Sequence, residues 1–324
     1  MPAEFPRIAV IVCNWNEVDI SVVCLRSVLA ATYPNLMSVL VDNGSDEDPT
    51  EVVRSRVPSA DVVRLATNRG YAAALNAGAK HAIARGAEYL LLLNNDATID
   101  ERTLPGLLTA AISRPAGIFS PMIVYAHNPA EIWSAGGYLV RPWMKNYHFG
   151  EGGSPANYAV SRTVDWATGC ALFVSTQTFH RLGPLDEDFF LYLEDVDWCL
   201  RGAKLGIETR YVPEAVVRHE VSTTVARRLP AHVRYYAYRN YYRVAFRYAP
   251  VWARPVIASE VGWTLLKITI RWALFPRYRH DFHYHARTDG VLDFLRGRWG
   301  QAPRRIQPTF ARKSVHAPMA ETVP

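Results

Sequence analysis

Tyr89-Leu90-Leu91-Leu92-Leu93-Asn94-Asn95-Asp96 is the stretch on which the fold turns. Its apolar run does not alternate, as in a strand covered on both faces, and it stops abruptly at two amides and a carboxylate. Three earlier stretches repeat the pattern. Ile8 to Cys13 is followed by Asn14-Trp15-Asn16-Glu17, Met37 to Val41 by Asp42-Asn43-Gly44-Ser45-Asp46, and Asp61 to Leu65 by Thr67-Asn68-Arg69-Gly70. Residues 18–31, 70–85 and 101–113 carry helical periodicity. Strands apolar on both faces, alternating with helices, predict βαβ units and a parallel sheet in an α/β fold. Further strands are expected at 118–125, 168–175 and Glu208 to Val212. Residues 126–165, rich in Gly, Pro and aromatics, are expected to form a long functional loop.

Open α/β sheets bind ligands beyond the carboxyl ends of their strands, so the polar residues at four strand ends should gather on one edge. Asp42 can accept the imide N–H of a uracil or thymine ring. Asn68, Gly70 and Asn76 can line the path of a diphosphate, glycine allowing close backbone approach. Asp96 can bind a hard divalent cation. Asn14, Asn16, Glu17, Asn43, Asn94 and Asn95 complete this donor-side set. Singly, each has an ordinary explanation: Asp42-Asn43-Gly44-Ser45 is a good turn, and Asn14 or Asn16 a good helix cap. Their recurrence at four successive strand ends counts against coincidence. The dinucleotide fingerprint GxGxxG and the P-loop GxxxxGK[ST] are both missing, which argues against nicotinamide enzymes and P-loop NTPases.

Downstream, Phe189-Phe190-Leu191-Tyr192-Leu193 leads into Glu194-Asp195-Val196-Asp197-Trp198. Carboxylates at a helix start are held ionised by free N–H groups and the helix dipole, as a general base must be. Simple helix capping is the plain alternative. His219, in Arg218-His219-Glu220, can serve as a second metal ligand through neutral imidazole, although a lone histidine is more often structural.

The chain has 324 residues, 49% hydrophobic and 20% charged, enough for one large α/β domain with an appended segment. Its net charge of +6 concentrates late: from Arg227 to Arg305 the only acids are Glu260, Asp281, Asp289 and Asp293. A basic, aromatic-rich region suits an anionic surface, and a solvated cationic face is the bland alternative. Within it 231–248 reads as a helix dense in Tyr and Arg. Residues 256–275 are apolar, but Glu260, Lys267 and Arg271 share one helical face. That pattern predicts a helix lying on a membrane, with packing on the catalytic domain nearly as good a reading. Four scattered cysteines, Cys13, Cys24, Cys170 and Cys199, suit buried free thiols in a reducing compartment. With no signal peptide in view, a cytoplasmic location is expected, peripheral on the inner face of the cell membrane.

The ordered set Asn14-Trp15-Asn16-Glu17, Asp42-Asn43-Gly44-Ser45, Asn68-Arg69-Gly70 with Asn76, Asn94-Asn95-Asp96, Trp166-Ala167-Thr168-Gly169 and Glu194-Asp195-Val196-Asp197 resembles the family 2 glycosyltransferases, specifically their bacterial rhamnosyltransferase-like branch. The likeness covers roughly residues 7–220. It implies a GT-A fold, Rossmann-like, with a mostly parallel central sheet, flanking helices and C-terminal amphipathic helices. It also implies an inverting transferase with Mg²⁺ or Mn²⁺ on the donor diphosphate. Carried over by position, Asp42 is the base-reading aspartate, Asp96 the last carboxylate of the DxD metal motif, Asp195 the catalytic base with Glu194 beside it, and His219 a residue near the metal. Trp166, Thr168, Gly169, Asp197 and Trp198 belong to the acceptor and donor-sugar side. Asn94 stands where the first DxD carboxylate is usual, which leaves Asp96 the only carboxylate of the motif.

The expected organisation is a catalytic domain over 1–225, with a nucleotide-sugar half to about 115 and an acceptor half from about 116. A basic helical membrane-associating region follows over 226–300, then a disordered tail over 301–324. The expected donor is dTDP-L-rhamnose and the acceptor a glycan or lipid-linked glycan, with no nucleic-acid partner. UDP-hexose or UDP-galactofuranose are alternative donors, and a non-catalytic nucleotide-binding membrane protein is the alternative class. Oligomeric state stays open, a homodimer being one form.

Overall fold

The computed structural model describes residues 5–220, 230–279 and 281–307. The four opening strands are β1 (Ile8–Asn14), β2 (Leu36–Asp42), β3 (Asp61–Arg64) and β4 (Tyr89–Asn94). They pair in parallel in the order β4-β1-β2-β3, with Asn14 and Asp42 level at the carboxyl edge and Cys13 level with Asn94. The helices between and after them are α1 (Val18–Ala30), α2 (Thr50–Arg56), α3 (Tyr71–Ala84) and α4 (Thr103–Ser113). The leucine run of β4 is unbroken because its two faces enter different cores. Leu90 and Leu92 join a cluster with Leu75 and Ala79 of α3, whereas Leu91 and Leu93 join one with Leu25 of α1 and Leu107 of α4.

The other half is mixed. β5 (Ala97–Ile99), β6 (Ile118–Tyr125), β11 (Ala171–Ser175) and β12 (Thr209–His219) extend the sheet, with β11 antiparallel between β4 and β6, and β12 parallel to β6. The complete path is β10-β12-β6-β11-β4-β1-β2-β3. The expected loop over 126–165 instead holds four strands: β7 (Asn128–Ser134), β8 (Gly137–Val140), β9 (Lys145–His148) and β10 (Arg162–Val164). β7 pairs with β6, β10 with β12, and β8 with β9 in a separate hairpin. Glycines and exposed aromatics blur the two-residue alternation there, and long-range ladder bonds make the strands. The strand expected over Glu208 to Val212 runs on to His219, because a register shift between Val212 and Val216 absorbs Pro213.

Helices α5 (Thr176–Leu182) and α6 (Glu194–Lys204) follow β11. Three more, α7 (Ala231–Tyr248), α8 (Arg254–Leu274) and α9 (Phe282–Leu295), form the C-terminal region. They pack on the α/β domain: Tyr242, Val244 and Ala245 of α7 and Ile257 and Val261 of α8 belong to the same core as Trp198 and Phe189. From the segment expected to be disordered, residues 301–307 are ordered. Ala302 and Ile306 are buried, and the Ala302 N–H donates to the Tyr236 hydroxyl at 2.7 Å. Residues 308–324 and the expected 225/226 boundary lie outside the described residues. All four cysteines are free and buried. Among the described residues no helix is long and apolar enough to cross a membrane.

Candidate active site

A cavity of about 1410 Å³ opens at the carboxyl edge of the sheet, walled on its far side by α7, α8 and α9. The donor-side residues that reach it are Glu17, Asn43, Asn68, Gly70, Asn94 and Asn95. Asn43 braces the following loop, donating to Asn68 Oδ1 and to the Gly70 carbonyl while accepting from the Arg69 N–H. Gly70 has φ +91°, and a Cβ there would lie 2.5 Å from the Phe190 carbonyl oxygen, so glycine is needed for this approach.

Four expected donor-side residues do not face the cavity. Asn14 and Asp42 are fully buried and bond each other at 3.0 Å. The Asp42 carboxylate also accepts from Ser45 and pairs with Arg64 at 3.3 Å, so its oxygens are already neutralised. Asn16 donates to the Asp46 carboxylate and accepts from the Asp46 backbone N–H, and Asn76 staples α3 to the Leu185 backbone in both directions. Amides can serve a ligand or the fold with the same atoms; only the packing decides which.

Asp96 and His219 meet because β12 pairs with β5, placing His219 opposite Ala97. The Glu220 N–H donates to the Asp96 carbonyl beyond it. Asp96 Oδ1 and His219 Nε2 lie 3.2 Å apart, yet the buried Oδ1 has no hydrogen-bond partner. Neighbouring ligands of an octahedral ion with bonds near 2.1 Å sit about 3 Å apart, so the pair fits a shared small, hard cation. No group of three or more such ligands exists among the described residues. Asn94 does not supply the missing ligand, since its Oδ1 accepts from the Tyr71 hydroxyl at 2.6 Å.

Glu194 and Asp195 open α6 and line the cavity. Asp195 accepts the backbone N–H of Gly169 on Oδ2 and its neighbour Val196 on Oδ1, both at 2.7 Å. Glu194 Oε2 is buried without a partner. Burial raises both carboxyls above their usual range, and the adjacent Asp195 charge raises Glu194 further. The backbone N–H groups oppose the rise at Asp195, so Asp195 is the member of the pair better held as a carboxylate.

Trp166, Thr168 and Gly169 line the same cavity. Asp197 and Trp198 do not. Asp197 is fully buried and accepts from Arg247 at 2.6 Å and Tyr248 at 2.8 Å, and Trp198 donates to the Gly183 carbonyl. The helical step of 100° per residue explains Asp197, because two positions on from Asp195 the side chain faces backwards.

The structure adds residues that sequence patterns did not single out. Tyr71, first in α3, bridges Asn94 Oδ1 and the Gly169 carbonyl, joining the donor and acceptor sides. Phe190, Tyr192 and Leu193, just before Glu194, all have positive φ (62°, 67° and 71°). Fully buried Asn240 of α7 holds this loop, its Nδ2 lying 3.0, 2.9 and 2.8 Å from the carbonyls of Phe189, Leu191 and Tyr192. Arg239 beside it donates to the Asp188, Phe189 and Gly300 carbonyls. The Tyr- and Arg-rich composition of α7 was the only available signal for this clamp.

Comparison with known proteins agrees with this geometry. The family described as Glycosyl transferase family 2 matches residues 9–162. The chain is 28% identical over 269 residues to the N-acetylglucosaminyl-diphospho-decaprenol L-rhamnosyltransferase of Mycobacterium tuberculosis, covering 74% of this chain and 83% of that protein. It is 24% identical to the dTDP-rhamnosyl transferase RfbF of Shigella flexneri, covering 64% and 69%. Among solved structures, a mannosyltransferase from Pyrobaculum calidifontis in complex with GDP-Man and Mn²⁺ aligns over 91% of this chain and 88% of its own, with a TM-score of 0.55 at 19% identity. GalNAc-T7 with UDP, GalNAc and Mn²⁺ aligns at a TM-score of 0.56 and 16% identity over 66% of this chain, which spans 43% of that longer one.

Fold and site together define a glycosyltransferase of the GT-A type. The two curated relatives named above are rhamnosyltransferases. Residues 9–162 form a glycosyl transferase family 2 domain.

Proposed function

We propose that this enzyme transfers L-rhamnose from dTDP-L-rhamnose, with inversion, to a hydroxyl of a lipid-linked glycan during cell-surface polysaccharide assembly. The observation that carries the reading is the convergence on one cavity of the Asp96–His219 pair and the Glu194–Asp195 pair. The names of the rhamnosyltransferase relatives support the sugar, the nucleotide and the lipid diphosphate.

Asp195 accepts the proton of the attacking acceptor hydroxyl, its Oδ2 held in place by the Gly169 N–H. Protonated Glu194 keeps the pair at a single negative charge and can donate to the acceptor. Asn68, its Oδ1 braced by Asn43, offers its amide nitrogen to the donor diphosphate, and Tyr71 fixes the strand ends on either side of it. Asp96 and His219 would hold Mg²⁺ or Mn²⁺, which when bound supplies positive charge against the leaving diphosphate. The protein contributes one carboxylate there, so the phosphates complete the site.

The reading includes membrane association at the inner face, supported by the apolar surface left exposed on α8, where Trp263 is 57% and Leu274 67% exposed.

The test is nucleotide release from a panel of dTDP-, UDP- and GDP-sugars with Mg²⁺, Mn²⁺ or chelator. Release of dTDP from dTDP-L-rhamnose alone is expected, dependent on metal and on acceptor. Preference for a UDP-hexose or UDP-galactofuranose would overturn the donor, and full activity of Asp195→Asn would remove Asp195 from the base role.

A further inference from the structure

The amphipathic pattern of α8 is turned around relative to a surface helix. Ile257, Val261, Thr264 and Ile268 form its buried stripe. Glu260 and Lys267 flank that stripe and face into the cavity, whereas Val256, Trp263, Leu266, Ile270 and Leu274 are exposed along the adjoining face. Charge therefore points toward the active site and apolar surface toward solvent. Across the cavity mouth, Arg287 of α9 also lines the wall, with its guanidinium 4.4 Å from the Tyr238 ring and its Nε buried without a hydrogen-bond partner. Lys145, on the β8–β9 hairpin, pairs with Glu260 at 3.8 Å. This leaves Lys267 and Arg287 with no carboxylate partner among the described residues, so the wall carries three cations against one anion.

Half-buried cations with no carboxylate partner favour a ligand that supplies the opposite charge. The ligand must be anionic, must reach a cavity that also holds Asp195, and must come from the side where the exposed apolar face of α8 begins. We propose that Lys267 and Arg287 bind the diphosphate of a lipid-linked acceptor, whose hydrocarbon chain stays in the bilayer against Trp263, Leu266 and Ile270. The assignment rests on the lipid-linked acceptor proposed above. It adds the residues that grip the acceptor and explains why the membrane-facing helix also walls the active site. The guanidinium supplies paired donors to phosphate oxygens and the ammonium a point charge.

The test uses the full chain and neutral phosphatidylcholine vesicles carrying farnesyl diphosphate, farnesol, or phosphatidylglycerol, with dTDP binding followed separately by thermal shift. Wild type is expected to co-sediment best with farnesyl diphosphate vesicles. Lys267→Gln/Arg287→Gln should weaken that binding about tenfold or more, with phosphatidylglycerol binding and the dTDP shift unchanged. Trp263→Ser should weaken binding to every vesicle. Equal binding of wild type to farnesol and farnesyl diphosphate vesicles would overturn the proposal, as would a double variant that binds farnesyl diphosphate normally. Loss confined to phosphatidylglycerol would assign the cations to headgroups and also overturn it. A dTDP shift retained throughout keeps such a failure separate from failure of the transferase reading, which would show as no dTDP shift in wild type.

Discussion

Replacing Asn240 with alanine should uncouple the catalytic loop from α7. The amide nitrogen has two hydrogens for three carbonyls, so about two full hydrogen bonds are lost, and buried carbonyls left unsatisfied cost about 1–3 kcal/mol each. Three positive-φ residues in the same loop would then be held less firmly in place. A stability loss of about 2–4 kcal/mol follows, read as a melting temperature lower by roughly 4–8 °C. Because Leu193 immediately precedes the carboxylates, a displacement near 1 Å would carry Asp195 with it and lower kcat about a hundredfold. Donor KM should change less than kcat, since the donor-side loop keeps its own braces at Asn43 and Asn68. Asn240→Asp separates packing from donation. It preserves size but removes both N–H groups and sets a carboxylate against carbonyl oxygens, so it should be worse than alanine. Steady-state kinetics and thermal melts of both variants check this. An alanine variant that melts lower yet keeps wild-type kcat, or an aspartate variant better than alanine, would refute the clamp.

Other expectations follow from single residues. Asp96→Ala should abolish the metal-dependent part of donor binding and leave the metal-independent part, read by calorimetry with and without Mn²⁺. Because Glu194 has a raised folded value, its proton stabilises the native state fully below the ordinary carboxyl range. That contribution fades as pH rises toward about 8, and Glu194→Gln should flatten this decline in melts run from pH 5 to 9. Gly70→Ala should lower both stability and kcat, since its Cβ would strike the Phe190 backbone at a φ that disfavours any side chain.

The parallel half of the sheet was legible from the chain alone because each strand is covered on both faces and its polar end is local in sequence. For the same reason Asp96, Asn43, Asn68, Gly70, Glu194 and Asp195 could be named before any coordinates. Asn14, Asp42 and Asn76 bond protein neighbours away from the cavity lining, which the chain alone could not show, because an amide or carboxylate has the same sequence appearance whether it meets a ligand or a buried neighbour. Strands β7 to β10 escaped notice because their hydrogen bonds run to partners far along the chain. The C-terminal helices were found, but not their role. Amphipathic spacing shows that a helix has two faces, and only packing shows which one is covered. Here α7 braces the catalytic loop, and α8 turns its charges toward the cavity and its tryptophan outward. The sequence alone thus determined an α/β scaffold with a polar edge. Tertiary structure decided which polar groups remain free there, because their hydrogen-bond partners lie on elements distant in the chain.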